Sequence, residues 1–466
     1  MRTSIGFLVV LIGMLAMPII VSPQGARPLD VEYRDVAGRL IGAAMVDTAG
    51  YAKLAYLTTR IGNRLSGSAG LERAVGWAAE QMKADGLENV RTQAVKVPQW
   101  VRGHESAQVV KPIDRPISML GLGGSIATPP EGILAPVVVV SSFVELDRLG
   151  ADKVKGKIVL YNPPWAGYAQ TVPYRSTGAS RAARLGAVAT LLRSVTPRSL
   201  YTPHTGSLNY DPAAPKIPAA AVTVEDAEWI RQMTATGEEV QVRLKMEAEM
   251  RPDADSANVI AEIVGAERPD EVVVIGGHLD SWDVGQGAQD DGSGVLATWQ
   301  AVAIMKQLGL KPRRTIRVVA WTNEENGTRG GNVYRDELGA EVSKHVAAIE
   351  MDEGAERPVG FAFNIVGPSR NESRIVIATA RLRQIARLLE GIDVDAISVG
   401  GGETDIGPLM RAGVPGFGLL TVNERYFDWH HTNADTFDKV DLQDFRRCIA
   451  SLAVLTYVLA DMPGRL

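Results

Sequence analysis

A chain of 466 residues with one cysteine, Cys448, cannot form a disulfide within itself, so its stability has to come from buried apolar surface. Cys448 lies in an apolar helical pattern and reads as a small buried hydrophobe, not a reactive thiol. Histidine is scarce too. With six in all, any metal centre must draw mostly on carboxylates. There is no surplus of positive charge: the net charge of -5 gives no electrostatic case for nucleic acid or an anionic membrane as partner. Internal repeats and biased tracts are absent, and the composition is that of an ordinary globular protein. Several catalytic signatures are missing as well. No Gly-x-Ser-x-Gly elbow joins a strand to a helix, and no Gly-Lys-Ser/Thr loop is there to cradle phosphate. Gly121-Leu122-Gly123-Gly124 lacks both the third glycine and the following helix of a dinucleotide fingerprint.

The one long apolar run stands at the N-terminus. Arg2 precedes residues 7–21, and Ser22-Pro23-Gln24-Gly25-Ala26 follow, so residues 1–26 read as a secretory signal peptide and the mature protein as secreted or periplasmic. About 15 apolar residues, broken by Gly13 and Pro18, are short for a bilayer span, and no stable membrane span is expected after processing. The remaining length predicts two domains. Apolar spacing predicts helices over 35–45, 52–60 and 71–85, then a strand over 89–110. From 116 to 251, Gly- and Pro-rich turns separate short Val/Ile runs, with one helix near 180–185; this reads as a β-rich insert. Its loop over 193–215, with Tyr201, His204 and Tyr210, has the length of a functional or mobile segment. From 256 onward strands and helices alternate. The fold class is therefore α/β: a mostly parallel, mixed central sheet flanked by helices, built from 27–115 and 252–466 and interrupted by the insert.

In such a sheet ligands collect beyond the carboxyl ends of the strands, and acids and imidazoles gather there. His278 and Asp280 end one predicted strand, Glu324 and Glu325 the next, and Asp352 a third. Asp290 lies on the loop before a helix. Asp291 and Ser293 read as helix caps, which leaves Asp290 as the extra acid and a metal ligand. Adjacent residues on extended chain point opposite ways, so one of Glu324 and Glu325 can bind metal while the other faces substrate. His278 has Asp280 two residues on to orient its ring. His430 and His431 stand together, and the spacing does not choose between them. His104, His204 and His345 have no partner motif and default to structural or surface roles. A mostly carboxylate donor set suits zinc or a similar cation and points to hydrolysis.

Gly276-Gly277-His278-Leu279-Asp280-Ser281-Trp282-Asp283 with Gly287-Ala288-Gln289-Asp290-Asp291-Gly292 resembles the signature of the M28 family of zinc exopeptidases. The likeness extends to Trp321-Thr322-Asn323-Glu324-Glu325, Gly402-Glu403-Thr404-Asp405-Ile406 and Ala412-Gly413-Val414-Pro415-Gly416. In the insert it covers Tyr201 to Gly206, Pro215 to Pro218 and Thr223 to Glu228. The resemblance implies two zinc ions, one held by His278 and Asp352, the other by Glu325 and His431, with Asp290 bridging them. It implies Glu324 as general base and Asp280 as the residue that orients His278. His431 is chosen over His430 because the family ligand precedes a run like Thr432 to Thr436. The insert would be a protease-associated (PA) domain, the substrate a short peptide with free termini, and the assembly a homodimer. Whether the enzyme is a carboxypeptidase, dipeptidase or aminopeptidase is left open by these motifs. Some PA-containing relatives are non-catalytic and have lost ligands; the complete set here argues against that reading. One departure stands out: Asn323 occupies a position where similar sequences more often have Ala.

Overall fold

The computed structural model describes residues 27–367, 370–402 and 404–466. The signal-peptide reading of residues 1–26 and the Glu403 member of the Gly402–Ile406 run lie outside them. Two eight-stranded sheets organise the chain. In the first, the order is Glu88–Val101, Glu249–Ile263, Arg314–Trp321, Arg268–His278, His345–Glu350, Gly416–Thr421, Pro358–Asn364, Ala396–Val399. The four middle strands, Arg314–Trp321 through Gly416–Thr421, are mutually parallel, while antiparallel neighbours flank them on both sides. The sheet is mixed α/β, with its parallel part at the centre.

The sequence of Arg268–His278 explains that centre. Val272-Val273-Val274-Ile275 is β-branched throughout, and all four side chains are buried. Side chains alternate across a strand. Val273 and Ile275 enter the core beneath the helices Ser293–Gln307 and Leu442–Asp461. Val272 and Val274 face the smaller core that holds Tyr334, Leu409 and Met410. Helices therefore cover both faces. Among the described residues no helix is long and apolar enough to cross a membrane.

The second sheet belongs to the insert. Its order is Arg115–Ile117, Glu105–Lys111, Gln241–Met246, Ile133–Val140, Ile158–Tyr161, Ala189–Arg193, Ala219–Val222, Met119–Gly121. This sheet begins at Glu105, ahead of the boundary expected at 116. Gly103, at φ 67, breaks what reads in the sequence as one strand over 89–110 and sends its second half into the other sheet. The insert is also less purely β than expected, since Phe143–Val154, Tyr168–Arg184 and Val224–Ala235 are helices. Their patterns are weak for physical reasons. Gly150 interrupts the first, and Pro173 lies inside the second, whose buried positions are mostly small or polar.

The two units are clamped together beside the strand ends. Glu88–Val101 and Glu249–Ile263 pair antiparallel out to Val101 and Glu249, so the chain leaves and returns on one two-stranded arm. Arg102 grips Asp283 through both carboxylate oxygens, at 2.8 and 2.6 Å. Trp282 packs with Trp100, Leu65 and Leu120. Its ring lies so close to Gly123 that a Cβ there would stand 2.1 Å from it.

Candidate metal centre

His278 is the last residue of its strand, and its backbone N–H donates to Asp291 Oδ2 at 2.9 Å. Asp291 Oδ1 accepts from Gly294 N at 3.0 Å, so Asp291 satisfies a first-turn amide of the helix Ser293–Gln307, although the residue at the cap position is Gly292 and not Asp291 or Ser293 as read from sequence. This close approach needs glycine: a Cβ on Gly277 would stand 2.4 Å from Asp291 Oδ2, and one on Gly294 would stand 2.0 Å from Met351 O. The strand end, the helix start and the neighbouring strand end are thereby pressed into one corner.

In that corner Asp290 sits between two histidine–carboxylate pairs. On one side His278 Nε2 is 3.3 Å from Asp290 Oδ1 and 3.1 Å from Asp352 Oδ1. On the other His431 Nε2 is 3.2 Å from Asp290 Oδ2 and 3.1 Å from Glu325 Oε2. Backbone carbonyls hold the far nitrogen of each ring. His278 Nδ1 lies 3.0 Å from Asp280 O, and His431 Nδ1 lies 3.3 Å from Thr205 O. With a proton on each Nδ1, neutral rings would turn their Nε2 lone pairs toward a cation held among these carboxylates. Asp290 Oδ2 is buried without a hydrogen bond. Lone pairs converging on a buried carboxylate oxygen fit a divalent cation, and the imidazole and carboxylate donors suit zinc.

Electrostatics point the same way. Burial, then the negative charge of Asp290, pushes Glu325 well above the usual carboxylate range. Burial and Asp352 push Glu324 up to about 8. Burial works against a charged His278 ring, yet Asp352 and Asp290 outweigh it and hold the ring well above the ordinary imidazole value. So many carboxylates in one dry corner repel each other, and cations relieve that repulsion.

The structure brings all seven predicted site residues together. Glu324 lines a cavity of about 330 Å³ with Asp290, Asp352 and His431; its carboxylate lies within 4.8 Å of ligand atoms of His278 and Asp352. Asp280 acts on more than His278. Its carboxylate accepts from the amides of Glu324 at 3.1 Å and Glu325 at 3.3 Å, while its backbone carbonyl makes the closer contact to the His278 ring. Asn323 has φ 66, a conformation Asn tolerates better than Ala, and its side chain reaches Ser66 Oγ at 2.9 Å. It fixes the turn into the acidic pair. His430 stacks on His431 but stays 3.7 Å from Asp290 Oδ2, the longer approach of the two.

Other residues carry parts that the sequence reading did not assign. Asp435, inside the Thr432–Thr436 run, accepts from Gln289 N at 2.7 Å and Asp290 N at 3.1 Å, which gives that run its purpose. From the insert, Tyr168 and Arg175 line the cavity, and no motif marks them in the sequence. Tyr201 and His204 do not line it. Tyr201 is half exposed, and His204 is buried with Nδ1 2.8 Å from His430 O.

Fold and donor set together define a metallopeptidase. The profile of peptidase family M28 matches residues 258–456. Carboxypeptidase Q of Bos taurus is 44% identical over 433 residues, covering 92% of this chain and 90% of its own. Among solved structures, a peptidase M28 precursor from Shewanella amazonensis SB2B superposes with a TM-score of 0.88 at 35% identity, covering 94% of this chain and 98% of the other. A zinc aminopeptidase from Bacillus subtilis shares the fold, with a TM-score of 0.66 at 21% identity over 89% of this chain and 96% of its own. The chain belongs to peptidase family M28.

Proposed function

We propose that this protein is an exported di-zinc exopeptidase that hydrolyses dipeptides or short peptides with free termini. The observation that carries the reading is the pair of His–carboxylate sets on the two oxygens of Asp290. His278 and Asp352 would hold one ion, Glu325 and His431 the other, with Asp290 between them. Bound zinc supplies Lewis acidity toward the scissile carbonyl and lowers the pKa of water. Glu324 takes the proton of the attacking water on its carboxylate and returns it to the leaving amine, a role worth about 10²–10⁴-fold. Asp280 holds the Glu324 and Glu325 amides, so the base and its neighbouring ligand move as one piece.

The carboxypeptidase sense is preferred because the Bos taurus relative so named matches 92% of this chain. The aminopeptidase sense is the second reading, favoured by the shared fold of the Bacillus subtilis enzyme. The insert is read as a PA domain that narrows the cleft, and the homodimer belongs to the same reading. Elemental analysis and an unblocked dipeptide test the proposal together. The expected result is bound zinc and turnover that chelation abolishes and zinc restores. Turnover indifferent to chelation would overturn it. Acetylating the amine and amidating the carboxylate in turn separates the two senses.

A further inference from the structure

Arg175 is 6% exposed, yet among the described residues its guanidinium has no anionic partner. Nη2 donates to the Tyr168 hydroxyl at 2.9 Å; Nη1 lies 3.5 Å from Thr205 O and 3.3 Å from His431 Nδ1; Nε has no partner at all. Among the described residues no carboxylate forms an ion pair with it. The other deeply buried guanidiniums are provided for. Arg314 has Glu271, Arg102 has Asp283 and Glu105, and Arg64 donates to the carbonyls of Gly62, Leu279, Gln286 and Gly287. A desolvated cation without an anion is costly, and guanidinium is shaped to take a carboxylate through two parallel bonds. Arg175 therefore stands as half of an ion pair.

Its position says what completes the pair. Arg175 enters the cavity beside His431; on the other side of Asp290 stands Asp352, whose chain neighbour Glu353 also lines the cavity. A peptide whose reacting carbonyl lies over Asp290 and Glu324 then has its amine toward the acidic side and its far terminus toward Arg175. The volume of about 330 Å³ is at the small end for ligand cavities, which limits the occupant to a short peptide. We propose that Arg175, carried into the cavity by the insert helix Tyr168–Arg184, binds the free α-carboxylate of a short peptide and so sets recognition of the carboxyl terminus. The inference rests on the peptidase reading and deepens it: the insert supplies specificity, and the zinc-binding unit supplies chemistry.

The test compares an unblocked dipeptide with its C-terminal amide on the zinc-loaded full chain, in wild type, Arg175→Met and Arg175→Lys. Wild type is expected to favour the free carboxylate by about 10–100-fold in kcat/KM, the worth of a charged hydrogen-bond pair. Arg175→Met is expected to erase that preference by raising KM for the free dipeptide far more than for its amide, with zinc retained. Arg175→Lys keeps the charge without the fork and recovers part of it. Calorimetry of the dipeptide on Glu324→Gln, with and without Arg175→Met, reads the same loss as binding. A preference that survives Arg175→Met overturns the proposal. So does an equal fall on both substrates together with lost zinc, the sign that Arg175 only props His431. A wild type that cleaves both substrates equally defeats Arg175 alone; one that cleaves neither defeats the peptidase reading as well.

Discussion

At Asp290 two imidazole rings approach one carboxylate from opposite sides, and the neighbouring histidines differ in how they do so. His431 Nε2 has two carboxylate oxygens within 3.2 Å, whereas His430 has one at 3.7 Å. His431→Ala is expected to lose one zinc ion per chain and His430→Ala to keep the wild-type content, as elemental analysis would read. Asp435→Ala removes the carboxylate that fixes the Asp290 amide and should weaken metal affinity about 10–100-fold in a competitive chelator titration. Most of the residues that meet in this corner were legible in the sequence, because His278, Asp290, Glu324, Glu325 and Asp352 follow strand ends or precede a helix within recognisable runs, whereas His431, just past the short helix Tyr426–Trp429, was reached only through the family resemblance. What the sequence could not carry was the work of backbone atoms: the Asp280 and Thr205 carbonyls that orient the two rings leave no trace in side-chain identity. Nor could it mark Arg175, whose significance lies in what it lacks once buried.

Between elements, packing distance decides. Gly277 lets the helix Ser293–Gln307 press against its strand, and a methyl there meets Asp291 Oδ2 and Val295 N at 2.4 and 2.6 Å. Gly277→Ala should cost about 1–3 kcal/mol in urea unfolding and reduce zinc occupancy, since Asp291 positions the His278 amide. Gly76, inside the helix Ala69–Ala84, has nothing within 4 Å of the same added methyl. Gly76→Ala should stabilise by about 0.5–1 kcal/mol in the same assay. The long elements of the peptidase unit were readable because their apolar runs are strong. Of the insert helices only the end of one, near 180–185, was. Tyr168–Arg184 carries Pro173 and buries Gly178, Ala179, Ala182 and Ala183, so its packing rests on small side chains that leave little periodic signal.

At the scale of the molecule, the insert boundary was displaced because Gly103 turns an otherwise continuous strand pattern from one sheet into the other. The change of texture in the sequence accompanies the passage from one sheet to the other, while the contact between them, through Trp282, Gly123 and the Arg102–Asp283 pair, arises only in three dimensions. Acid stability belongs to this scale. Burial, then the nearby Arg317 charge, holds His345 down at about 4. Its folded value lies below the unfolded one of about 6.5, so the unfolded chain binds the extra proton. The contribution of a neutral His345 is complete above about pH 6.5 and is lost as pH falls toward 4. The urea midpoint of wild type minus that of His345→Gln, followed from pH 8 to 4 in chelator, should fall over that window.

In the proposed reaction Glu324 moves the proton while its neighbours hold the metal. Glu324→Gln tests it most directly, with zinc content and kcat measured on the same preparation. The expected result is wild-type zinc content with kcat on an unblocked dipeptide lower by about 10²–10⁴-fold. Wild-type kcat in that variant, or a loss of zinc equal to the loss of turnover, would contradict it.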